Sequence, residues 1–119
     1  MTMTSAQKIL AENMSESELQ DKIVRMAEVS GWIVHAERPA RTTTGWRTPI
    51  QGDAGFPDLI LVNEHQVLFV ECKSEKGKLT IEQEEWRRIL RSAHVRNFVC
   101  VWRPSDWCSG EVERVLRGE

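Results

Sequence analysis

Two short apolar runs constrain this chain more than anything else in it: Leu59-Ile60-Leu61-Val62 and Val67-Leu68-Phe69-Val70. Both are rich in branched residues, and only Asn63-Glu64-His65-Gln66 separates them, so they read as a β-hairpin with a polar turn. Pairing Asn63 with Gln66 across that turn sets Asp58 opposite Glu71. Directly opposed residues share a sheet face, with Cβ atoms roughly 4.5–5.5 Å apart. Lys73 lies two residues beyond Glu71 and points to the same face. Cys72 points away, but its backbone carbonyl stays within reach of whatever the two carboxylates hold.

Two facing carboxylates beside an ammonium suggest phosphodiester chemistry. Mg²⁺ prefers oxygen ligands and usually takes one or two protein carboxylates together with waters and substrate phosphate. It acidifies a bound water and neutralises phosphate charge. A nearby lysine can orient the attacking water and counter developing charge. Without a cation the carboxylates would repel, and one would hold its proton more tightly. Solvated strand-end charges are the bland reading of each residue alone. The combination argues for a site, because the second run stays apolar up to Glu71. The expectation is a Mg²⁺ (or Mn²⁺) site held by Asp58, Glu71 and the Cys72 carbonyl, with Lys73 as the catalytic base or water-positioning group.

The remaining pattern gives the order αβββαβα: a single α/β domain with a mixed central sheet flanked by helices. Residues 1–14 read as a loose leader or an extra helical turn, and residues 15–119 as the domain. A helix is expected from Ser15 to Ser30, with apolar positions Leu19, Ile23, Met26 and Ala27 and with Gly31 closing it. Trp32–Glu37 reads as the first strand, and Arg38–Phe56 as a long loop of functional character. Thr80–Ala93 reads as helix, Phe98–Trp102 as strand and Glu111–Leu116 as helix. Ser105 is the expected cap of a helix entry, with Trp107 packing behind it.

The runs Gly55-Phe56-Pro57-Asp58, Glu71-Cys72-Lys73-Ser74-Glu75-Lys76-Gly77 and Gln83 resemble the PD-(D/E)XK nuclease superfamily. More narrowly they resemble the VRR-NUC domain in its small stand-alone viral and bacterial form. Ser15-Glu16-x-x-Leu19-Gln20, Gly31-Trp32, His35 and Trp102-Arg103-Pro104-Ser105-Asp106-Trp107 extend the likeness to about Ser15–Leu116. It implies a restriction-endonuclease-like fold and metal-dependent hydrolysis of DNA. It further implies a homodimer acting on branched DNA in the manner of Holliday junction resolvases. A less selective nuclease, a nuclease subunit of a restriction or repair assembly, and a non-catalytic DNA-binding module are the alternatives.

Two helices carry further candidates. Glu16, Gln20, Ile23 and Ala27 lie along one helical line, whereas Glu18 projects roughly 120° away. Glu18 also sits at a capping-box spacing from Ser15. Glu16 is therefore favoured as the acid facing the site, reaching the metal directly or through water, and Gln20 as its supporting neighbour. The resemblance places its helix acid at Glu16 as well. Gln83 fits a capping box with Thr80, yet it shares a face with Trp86 and Leu90. The resemblance carries a glutamine near the catalytic lysine, so capping and an active-site role both stand for Gln83. It would orient Lys73 or a phosphate.

At 119 residues the chain can bury one core. No apolar run approaches membrane-spanning length, and no signal-peptide pattern opens the chain. The three cysteines show no Cys-x-x-Cys spacing and read as free thiols, which points to the cytoplasm, and the resemblance implies a phage-encoded protein acting in a bacterial host. The net charge of −2 means that any DNA contact must be local. Arg38, Arg41 and Arg47 form one basic group, and Lys76 and Lys78 follow the catalytic strand. His35 is a further phosphate or outer contact. Arg87, Arg88 and Arg91 are evenly balanced between DNA contact and solvated surface.

Overall fold

The computed structural model describes residues 2–37, 40–42, 45–47, 51–93 and 98–119, without the side chains of 40–42, 45–47 and 98. Along it run α1 (Ser5–Asn13), α2 (Glu16–Val29), β1 (Ile33–Ala36), β2 (Ala40–Thr42), β3 (Gly45–Arg47), β4 (Leu59–Val62) and β5 (Val67–Cys72). Then come α3 (Ile81–Ser92), β6 (Phe98–Trp102), α4 (Pro104–Cys108) and α5 (Glu111–Leu116).

The expected hairpin forms in the expected register. Leu59 pairs with Val70 and Val62 with Val67, and the Asn63 N–H donates to Gln66 O at 3.0 Å. The Asn63 side chain makes the turn affordable, because its Oδ1 accepts from the N–H groups of His65 and Gln66 at 2.8 and 2.9 Å. Strand β1 joins β4 antiparallel and β6 joins β5 parallel, giving a mixed sheet in the order β1-β4-β5-β6.

Alternation along the strands divides the sheet into two faces. Leu59, Leu61, Leu68, Val70 and Cys72 are fully buried against Leu19, Ile23 and Ala27 of α2 and Val112 and Leu116 of α5. The other face is only half covered. There Phe56 stacks edge-on against Phe69, with centroids 6.2 Å apart, and against Trp86 of α3 at 5.0 Å. Gly55 permits this approach: at φ +100°, a Cβ would stand 2.6 Å from the Glu82 backbone carbon. Trp32 closes the domain, its Nε1 donating to Leu116 O at 2.8 Å.

Three parts of the fold depart from the sequence expectation. Residues 5–13 form a nine-residue helix, where a loose leader or a single turn was expected. A reciprocal Thr4–Gln7 capping box starts it, and Gln7 Nε2 donates to Cys108 O at 3.0 Å. Its one buried residue is Ala11, so it has almost no apolar stripe to read. The expected Arg38–Phe56 loop contains a second, two-stranded sheet of β2 and β3. Thr43-Thr44 lacks the Asn-Gly type of hairpin signal, and only Ala40 and Trp46 among the flanking residues are apolar. The third departure is at α4, whose N-cap is Arg103 rather than Ser105, with Pro104 in the first turn. The whole is a single α/β domain of restriction-endonuclease-like arrangement.

Candidate active site

The hairpin register puts Asp58 and Glu71 at one end of the sheet, on the face that α3 covers. Their carboxyl groups hydrogen-bond each other. Asp58 is pinned from the far strand, its Oδ2 accepting from the Cys72 N–H at 2.9 Å. On the other side of Asp58, its backbone carbonyl accepts from the Glu37 N–H at 3.1 Å. Gln20, buried on α2, donates to the Glu37 carbonyl at 3.5 Å. Gln20 thus braces the backbone beside Asp58 and does not reach the carboxylates itself.

Glu71 is 6 % exposed and Lys73 7 %. Burial pushes the Glu71 carboxyl up to about 8, and the neighbouring Asp58 charge and hydrogen bond push the same way. Lys73 opposes the shift and Glu16 adds to it. At neutral pH Glu71 therefore keeps a proton and shares it with Asp58. The Lys73 backbone is fixed by its N–H, which donates to Trp102 O at 3.0 Å. Burial also raises the Cys72 thiol strongly, with Asp58 next in effect. That side chain lies in the core as an inert thiol, on the opposite face from the acids.

Gln83 does both things that its sequence position allows. Its Oε1 accepts from the Thr80 N–H at 2.9 Å, completing the capping box. Its Nε2 donates to Glu71 Oε1 at 2.8 Å. The amide therefore meets Glu71, where the sequence reading has it orient Lys73 or a phosphate. On α2, Glu18 is the capping partner of Ser15, at 3.1 Å in each direction. Glu16 is exposed, and its charge acts on Glu71.

Arg103 is the residue that sequence reasoning undervalued. Its Nη1 donates to the carbonyls of Ser74, Glu75 and Gly77 at 2.7, 3.2 and 2.7 Å, holding the turn that follows Lys73. Glu75 Oε1 in return accepts from the Ser105 N–H at 3.0 Å. The signal available was an arginine directly before Pro104, but nothing local indicates a target nearly thirty positions earlier in the chain.

The proposed DNA-contact residues that the structure describes lie on the surface. His35 is exposed on β1, with Nε2 4.0 Å from Glu37 Oε1. Lys76 and Lys78 are exposed on the turn and segment beyond Lys73. Arg38 lies outside the described residues, as do the side chains of Arg41 and Arg47. No group of three His, Cys, Asp or Glu side chains among the described residues is arranged as a ready-made ion site. The donor chemistry nonetheless fits a hard cation. Two carboxylates that now share a proton offer oxygens to an ion that would replace it, and Mg²⁺ completes its shell with water.

The family profile of the VRR-NUC domain matches residues 2–103, most of the chain. This chain belongs to the VRR-NUC family. VRR-NUC is a nuclease domain, so the protein's general activity is that of a nuclease, with DNA as the implied substrate. The match takes in α1 as well as the acid–acid–lysine set. No curated protein matches the chain significantly. No helix among the described residues is long and apolar enough to cross a membrane.

Proposed function

We propose that this VRR-NUC domain is a Mg²⁺- or Mn²⁺-dependent endonuclease that cuts branched DNA as a homodimer in the cytoplasm. The observation that carries the metal-dependent reading is the pairing of half-buried Asp58 with buried Glu71, with buried Lys73 at the same strand end. Asp58, Glu71 and the Cys72 carbonyl would hold the cation, with Glu16 contributing through water. When bound, the cation supplies charge neutralisation at the phosphodiester and acidification of a water.

The protein's own groups do the rest. The Cys72 N–H prevents the Asp58 carboxylate from swinging away, and Gln83 holds Glu71 in one orientation. Lys73, nearly buried beside them, orients the attacking water and steadies negative charge on the phosphate. Lys76 and Lys78, with Arg38, Arg41 and Arg47, are the proposed backbone contacts, and His35 a peripheral one. Selectivity for branched DNA and the homodimer rest on the likeness to stand-alone VRR-NUC proteins. Two copies would double a limited basic surface and supply two sites for paired nicks.

The test is cleavage of a four-way junction, a flap and a linear duplex, each with Mg²⁺, with Mn²⁺ and with EDTA. Cutting that needs the metal and favours the junction is expected. Asp58→Ala and Lys73→Ala should each lower the rate by at least about 10²-fold while leaving the circular dichroism spectrum unchanged. Full activity in EDTA would end the metal-dependent reading. Equal cutting of junction and duplex would end the selective one.

A further inference from the structure

Helix α3 turns Gln83, Trp86 and Leu90 toward the sheet, and among the described residues its outward side meets only the Asp53-Ala54-Gly55 loop along one edge. At about 100° per residue, Ile81, Glu82, Glu85, Arg88 and Ile89 lie together on that outward face. Ile81 is 84 % exposed and Ile89 50 %. Beside them is a groove of about 450 Å³ between Asp53-Ala54 and α3, where Glu82 and Glu85 border an apolar lining of Ile81, Trp86 and Ile89. Trp86 Nε1 donates to Asp53 O and Ala54 O at 3.3 and 3.0 Å, fixing that loop against the helix. The groove is therefore a built feature of the domain.

The charges along α3 are segregated. Glu82, Glu84 and Glu85 occupy its first half, and Arg87, Arg88 and Arg91 its second. A helix of this kind complements itself when two copies lie antiparallel. With the two-fold axis at Glu85, Ile81 faces the second copy's Ile89 and Glu82 faces the second copy's Arg88. The Glu85 charge at the axis is already neutralised by its own Arg88, which it meets at 2.6 and 3.1 Å. DNA is a poor occupant, because the same face presents two glutamates, Glu82 and Glu85, to phosphate.

We propose that the outward face of α3 is the contact between two copies of this chain, each inserting an isoleucine toward the other's groove. The inference rests on the reading of the enzyme as a homodimer and names the surface that makes it one. It also gives α3 two tasks: its inner side fixes Glu71 through Gln83, and its outer side joins the copies.

Charge reversal tests the arrangement without touching the core. Sedimentation velocity would be run on the full chain as wild type, Glu82→Arg, Arg88→Glu, an equimolar mixture of the two, the double variant, and Ile81→Asp. Circular dichroism would check the fold of each. The wild type is expected to be dimeric. Each single variant should dimerise more weakly by roughly tenfold or more. The mixture and the double variant should recover, since both restore opposite charges across the axis. Weakened single variants without recovery in the mixture would overturn the antiparallel register. Dimers unaffected by all the substitutions would overturn the α3 contact while leaving the homodimer reading intact. A wild type that stays monomeric would overturn both, and junction cleavage by that monomer would show the nuclease reading to be independent of them.

Discussion

A single proton at Glu71 ties the chemistry of the site to the stability of the fold. The carboxyl titrates near 8 in the folded protein and near 4.5 when unfolded. Between those values the folded state binds more protons than the unfolded one, so stability falls as pH rises through the window and levels off above it. Melting of the metal-free protein should show that decline from pH 5 to pH 8. Glu71→Gln should flatten it and raise the melting temperature at pH 8 by several degrees, at about 4–8 °C per kcal/mol for small domains. A wild-type profile without slope would mean that Glu71 carries no shared proton. Added Mg²⁺ should stabilise the protein more at pH 8 than at pH 6, because the ion and the proton compete for the same oxygens. Equal stabilisation at both pH values would place the ion elsewhere.

At the scale of elements, the site depends on two joints that bring chain segments together. One is Gly55, where the loop before β4 meets the first turn of α3. Gly55→Ala combines a left-handed backbone with a clash against Glu82, and should cost about 1–3 kcal/mol. It should also lower cleavage, since α3 carries Gln83. Urea unfolding and junction cleavage on the same sample check both effects. The other joint is Arg103, which holds three carbonyls of the turn after Lys73. Arg103→Met leaves those acceptors without their charged donor, and a loss of about 1.5–3 kcal/mol is expected in urea unfolding. An unchanged midpoint would show the turn to be self-supporting. The hairpin, α3, β6 and α5 are legible in the sequence because each carries a strong period and its own turn or cap signals. Helix α1 and the β2–β3 pair are not, because α1 buries only Ala11 and the sequence of β2 and β3 carries no run of alternating apolar residues.

Over the whole molecule, the two faces of the sheet do different work. The face against α2 and α5 is dry and supplies the core, whereas the face under α3 is thinly covered and carries Asp58, Glu71 and Lys73. Trp32 locks the start of β1 to the end of α5 across the chain. Trp32→Phe should lower stability by about 1–3 kcal/mol through the orphaned Leu116 carbonyl, with the metal dependence of cleavage unchanged. Thermal melting and a Mg²⁺ titration of activity distinguish these outcomes.

The sequence by itself determined the hairpin register, the opposition of Asp58 to Glu71, the capping roles of Ser15 and Thr80, and the family likeness that the profile match bears out. These follow from period, turn chemistry and spacing, which are local properties of the chain. Only the tertiary structure decided that Gln83 grips Glu71, that Gln20 gives its support by bracing the backbone beside Asp58, and that Arg103 holds the turn after Lys73. It also showed Glu16 acting on Glu71 from an exposed position. Each of these contacts joins segments distant in sequence. Their partners are selected by how helices dock on the sheet, and no local pattern in the chain records that docking.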